Sequence, residues 1–140
     1  MEMAVMFDTK FAIVLREDLA TWQKLNVTAF LATGIAGQKP GIIGEDYRDG
    51  AGNVYNALSI QPIIVLAADG KTLGNIQRRA IEREVKASIY VDGMFATGHD
   101  HANRAVFAET RPDDAAVAGI AIHADKKLVD KITKGAKLHG

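Results

Sequence analysis

No cysteine occurs among the 140 residues, which excludes disulfides and thiolate metal sites from the outset. Long apolar runs are missing too: none approaches the roughly 20 residues that span a bilayer, so no membrane segment is expected. The chain also has no basic surplus, its 17 Lys and Arg being matched by 17 Asp and Glu. Proteins that grip phosphate backbones usually carry such a surplus, because neutralising phosphates supplies much of their binding free energy. Nucleic acid is therefore a disfavoured partner. After the first apolar run stands Leu15-Arg-Glu-Asp-Leu19, without the glycines that let a backbone approach a pyrophosphate. The only serines, Ser59 and Ser88, lie outside any G-x-S-x-G turn, so the familiar serine and cysteine hydrolase routes drop out. Residues 1–10 include Glu2 and Asp8 and lack a basic stretch followed by an apolar one. They do not read as a secretory leader, and the cytoplasm is the expected location. No cofactor is expected.

What is present is the balance of an ordinary globular protein, 48% apolar and 24% charged, at a length that suits one domain spanning residues 1–140. Phe11-Ala-Ile-Val-Leu15 is apolar at every position, which predicts a strand covered on both faces. Asp18 offers a cap for a helix running to Ala36, with Leu19, Trp22, Leu25, Phe30, Leu31 and Ile35 on helical spacing and Gly37 at its end. Residues 49–53 read as a turn between two short apolar-aromatic segments, so a hairpin or a short helix is expected within 38–60. Further strands are predicted at 62–67, 87–91 and 115–122, and helices at 72–85 and after Asp125. The stretch 92–114 carries no convincing long helix, so the last strand is free to run antiparallel. The expected architecture is a three-layer α/β/α domain with a mixed, mostly parallel sheet of about four strands.

Two local clusters carry possible chemistry. In an extended segment His99 and His101 would point the same way and could share a metal, with Asp92 or His123 completing the set. A short H-x-H is weak by itself, so no metal site is assigned. Asp92 closes the third predicted strand, where groups at the carboxyl ends of parallel strands gather around a crevice, and topology brings Asp18 and Lys24 to the same end. Tyr47 and Tyr55 are expected to pair across a hairpin.

Three separated blocks resemble the type-II peptidyl-tRNA hydrolases. Val117-Ala-Gly-Ile followed by Asp125-Lys-Lys-Leu-Val-Asp-Lys-Ile-Thr133 and Lys137-Leu138 is similar to that family's closing strand, helix and K-L pair. Val14-Leu-Arg-Glu-Asp-Leu19 is similar to its V-V-R-x-D-L opening, and Val91-Asp92-Gly93 lies where it has D-A-G-x-T. The residues 18–27 and the polar loop 44–55 more closely resemble a bacterial family of unknown function with the same fold. The hydrolase resemblance implies a site of Lys24, Thr28, Asp92 and Thr97. Asp92 matches well, Lys24 fits with the helix start shifted by one, Thr28 replaces a glutamine, and Thr97 is displaced by a residue or so. With the site so altered, the first expectation is a hydrolase acting on a different, smaller acyl or ester substrate, with Asp92 as general base, Lys24 at the oxyanion and Thr28 or Thr97 placing the acyl group. The alternatives are a non-catalytic module binding an unknown small molecule, and peptidyl-tRNA hydrolysis itself. A homodimer is expected in each case.

Overall fold

The structure is a computed structural model and describes residues 7–140; Met1 to Met6, part of the segment read as lacking a leader, lie outside the described residues. The chain runs β1 (Thr9–Arg16), α1 (Thr21–Gln38), the hairpin β2 (Tyr47–Arg48) and β3 (Val54–Tyr55), β4 (Ile63–Ala68), α2 (Gly70–Glu82) and β5 (Ser88–Val91). A 3-10 turn over Asp92–Ala96 leads to α3 (Asp100–Ala108), then β6 (Val117–Asp125), α4 (Lys126–Ile132) and β7 (Lys137–Leu138).

Among the described residues the main sheet is mixed, as expected, but has five strands in the order β5-β6-β1-β4-β7. Only β1 and β4 pair in parallel, while β1–β6, β5–β6 and β4–β7 are antiparallel. The expectation of a mostly parallel sheet missed that β6 inserts between β1 and β5, so antiparallel neighbours prevail. The extra strand is the Lys137-Leu138 pair, too short to carry a strand pattern, which pairs with Ala67 and Leu66.

The apolar run of β1 is buried on both sides because strand residues alternate between faces. Phe11, Ile13 and Leu15 pack with Val27, Leu31 and Ile35 of α1. Ala12 and Val14 pack instead with Leu73 and Ile76 of α2 and Val129 and Ile132 of α4. Gly119 in β6 lets α1 lie this close, since a Cβ there would come within 2.7 Å of Val27 and 3.1 Å of Leu31.

Helix ends depart from expectation for local reasons. Asp18 does not cap α1; its carboxylate accepts from Arg16 Nε at 2.6 Å, and the helix begins at Thr21 with the Gln23 side chain accepting from Ala20 N–H. Its C-terminus runs through Gly37 to Gln38, where the Lys39 N–H closes on Ile35 O. Asp69 is the cap of α2, accepting from Thr72 N–H at 2.8 Å, so that helix starts earlier than expected. It also stops earlier, because Glu84 takes a left-handed φ of 55°. Asp125 makes no side-chain cap to α4, whose first N–H bonds to Asp8 O. The hairpin forms with Tyr47 opposite Tyr55, as expected. Helix α3, absent from the expectation, fills the stretch before β6.

Candidate functional site

The end of β5, the chain beyond it and α1 enclose a recess. Tyr90 is buried, and its ring stands 5.7 Å from Phe30 of α1 and 5.0 Å from Phe95 in the 3-10 turn. Phe95 in turn meets Trp22 edge-on at 5.9 Å, a favoured geometry for aromatic pairs. These four rings line a half-open cavity of about 320 Å³ whose polar groups include Asn26 and Asn103. On α1, Trp22, Asn26 and Phe30 recur every four residues and so share one stripe. The neighbouring stripe, Val27, Leu31 and Ile35, is buried in the core. Trp22 and Phe30 stay 61% and 51% exposed because the recess they face is empty space rather than protein. Burial holds the Tyr90 phenol above its ordinary pKa, offset in part by Asn26.

The four residues taken from the hydrolase resemblance have separate partners. Asp92 opens the turn after β5, and its carboxylate accepts from Arg16 Nη1 at 2.9 Å. The same guanidinium bonds Asp18 and the Val117 carbonyl. Burial works to lower the Arg16 pKa, but its bonds to Asp92 and Asp18 outweigh it and leave the guanidinium above its ordinary value. The Lys24 ammonium meets His139 Nε2 at 3.2 Å, beyond β7. Thr28 returns its hydroxyl to the Lys24 carbonyl at 2.7 Å, on its own helix. Thr97 alone lines the cavity, its hydroxyl within bonding distance of the Met94 carbonyl at 2.9 Å and of the Asn103 carboxamide. Among the described residues the four form no single hydrogen-bonded cluster. Arg16, the partner of Asp92, was missed because an arginine ending an apolar run reads as a surface charge.

The histidines are not two rungs of an extended segment. His99 precedes α3 and its Nδ1 accepts from Ala102 N–H at 3.2 Å, which occupies the lone pair a metal would need. His101 lies inside the helix, and the two rings stack at 6.3 Å. His123 is buried on β6 with Nε2 bonded to Gln61 Oε1 at 2.9 Å, while its Nδ1 is buried with no hydrogen-bond partner among the described residues. Burial, helped by the nearby Lys39 charge, holds this imidazole below its ordinary pKa, so the neutral ring fits the site. No group of three or more His, Asp or Glu among the described residues could hold a metal ion. No helix among them is long and apolar enough to cross a membrane.

Residues 9–140 match the family described as Protein of unknown function (DUF2000). The chain belongs to that family. A solved structure of a protein of unknown function, Atu0240 from Agrobacterium tumefaciens strain C58, is similar throughout. It is 64% identical, covers 96% of this chain and 100% of its own, and superposes with a TM-score of 0.95. No curated protein matches. The family member thus presents a well-formed aromatic recess with no reaction attached to it by its relatives.

Proposed function

We propose that this chain is a small-molecule-binding module whose site is the recess formed by Trp22, Phe30, Tyr90 and Phe95. One observation carries the reading: four aromatic rings, in contact in the order Trp22–Phe95–Tyr90–Phe30, line one open cavity, with Asn26 and Asn103 also in its wall. Apolar walls with a few directed polar groups are the usual make-up of a ligand site. Catalysis at Asp92 is the alternative; it is favoured by the 44% exposure of that side chain at the end of β5, with Lys24, Thr28 and Thr97 as accessory groups. The separate partners of those groups weigh against it, and the balanced charge weighs against a tRNA substrate.

This reading takes the chain as one cytoplasmic, homodimeric domain with the three-layer fold of the type-II peptidyl-tRNA hydrolases. The two apolar clusters on opposite sides of β1 support that arrangement. The test is a thermal-shift screen with metabolites and nucleotides. A ligand at a hundred times its Kd stabilises the folded state by about 2.7 kcal/mol, a shift that is easily seen. The Asn26→Ala/Phe95→Ala double variant is expected to lose it. A flat screen, or a shift that survives both substitutions, counts against the reading, and loss of an ester-hydrolysing activity in Asp92→Asn would favour the alternative.

A further inference from the structure

A second cavity of about 530 Å³ adjoins the aromatic recess and shares Phe30, Tyr90, Met94, Asp100 and Asn103 with it. The two lie side by side between α1 and α3, along β5, and together make a two-part cleft. Its ends differ in chemistry. The recess end is walled by Trp22 and Phe95 and has no lysine or arginine in its lining. The far end has Lys86 and Arg104. Arg104 spends its Nε on Asp100 at 2.6 Å, which leaves its terminal nitrogens as donors. Lys86 is exposed and has no ion pair among the described residues. Asp100, the one carboxylate in the cleft lining, is already matched by Arg104. The sum is an aromatic chamber joined to a mouth with one net positive charge, that of Lys86, and with the terminal donors of Arg104 beside it.

Resting on the binding-module reading, we propose that the cleft takes a small aromatic anion. Its planar ring stacks in the chamber beside Trp22 and Phe95, with Asn26 and Asn103 bonding its polar edge. Its carboxylate or phosphate tail reaches Lys86 and Arg104. An exposed cation pair distinguishes anion from neutral analogue modestly, while the chamber supplies most of the affinity by burying the ring.

Trp22 is the lone tryptophan of the chain and stands in the chamber wall, so its emission reports occupancy directly. The full chain is titrated with 3-phenylpropanoate, 3-phenylpropanamide and 3-phenylpropylamine, which differ only in the tail. The carboxylate is expected to bind roughly fivefold tighter than the amide, with the amine weakest, and the gap should shrink in molar salt. Lys86→Ala/Arg104→Ala is expected to erase the carboxylate preference and leave amide binding unchanged. Both residues are exposed, so folding is not at stake. Equal binding of carboxylate and amide, preference for the amine, or no binding of any of the three overturns the aromatic-anion assignment. The module reading stands or falls separately, on the metabolite screen.

Discussion

Two excursions leave the sheet, one between α1 and β4 and the other between β5 and β6, and they are organised in opposite ways. The first folds upon itself. Around the hairpin turn, Asp49 accepts from the N–H groups of Ala51 and Asn53, from the Asn53 carboxamide and from the Tyr55 hydroxyl, all between 2.9 and 3.0 Å. Tyr47, Val54 and Tyr55 nevertheless remain exposed. The second folds against the rest of the protein, since Phe95 reaches Trp22 and Tyr90, and Gly93 packs against Val106 of α3. Yet α3 buries no residue completely, and the space beneath it is the cleft. A polar hub closes the first excursion on its own shape, whereas incomplete apolar packing leaves the second with room for a guest.

The comparison can be broken at three points. The largest effect is expected at Tyr90, which serves both core and cavity. Tyr90→Ala should lower stability by about 3 kcal/mol in urea denaturation, against less than about 1 kcal/mol for Tyr55→Ala in the hairpin. Equal losses would mean that the hairpin is as integral as the chamber. Next comes Gly93→Ala, whose new Cβ would come within 2.7 Å of Val106 Cγ1. Overpacking there should cost about 1–3 kcal/mol and shift Trp22 emission as α3 moves; no change in either would show that α3 gives way freely. The smallest global effect is expected from Asp49→Asn, which should loosen the hairpin amides in hydrogen exchange while the denaturation midpoint stays nearly fixed. The bonds from the Asn53 side chain and backbone, with those of Ala51 and Tyr55, hold the Asp49 carboxyl at about 2, below its ordinary 3.8. A depressed carboxyl stabilises the hairpin fully above its unfolded pKa and loses that contribution as pH falls through the folded one. Hairpin resonances should therefore change between about pH 4 and pH 2, and a midpoint near pH 4 for the Asp49 carboxyl would contradict the hub.

How much of this was legible in the sequence depends on what each segment packs against. The run 11–15 announced its own burial because both faces of β1 are covered. The hairpin announced itself through its glycines and paired tyrosines. Helix α3 did not: its cap is a histidine rather than a short hydroxyl, amide or carboxylate side chain, and none of its apolar residues is fully buried, Phe107 lining the second cavity rather than the core. The cleft was hidden for a related reason. Trp22 and Phe30 sit on helical spacing and read as core, when only the Val27–Leu31–Ile35 stripe is buried. The available clue was Asn26, a carboxamide set midway between two aromatics on the same stripe. Thr97 was reached through resemblance alone, and its companion Asn103 lay in a helix that the pattern did not display.

The two-residue strand β7 limits the ways in which copies of this chain can meet. It occupies Leu66 and Ala67 on the outer edge of β4, and the His139 N–H takes the Val65 carbonyl. Pro62, just ahead of β4, has no N–H to offer. Between the two, only Ile63 and Ile64 are left at that margin, fewer than a guest strand needs for a lasting ladder. A fibre or a dimer that grew by pairing a strand onto β4 would first have to peel β7 away, and β7 itself offers a guest strand an edge of only two strand residues.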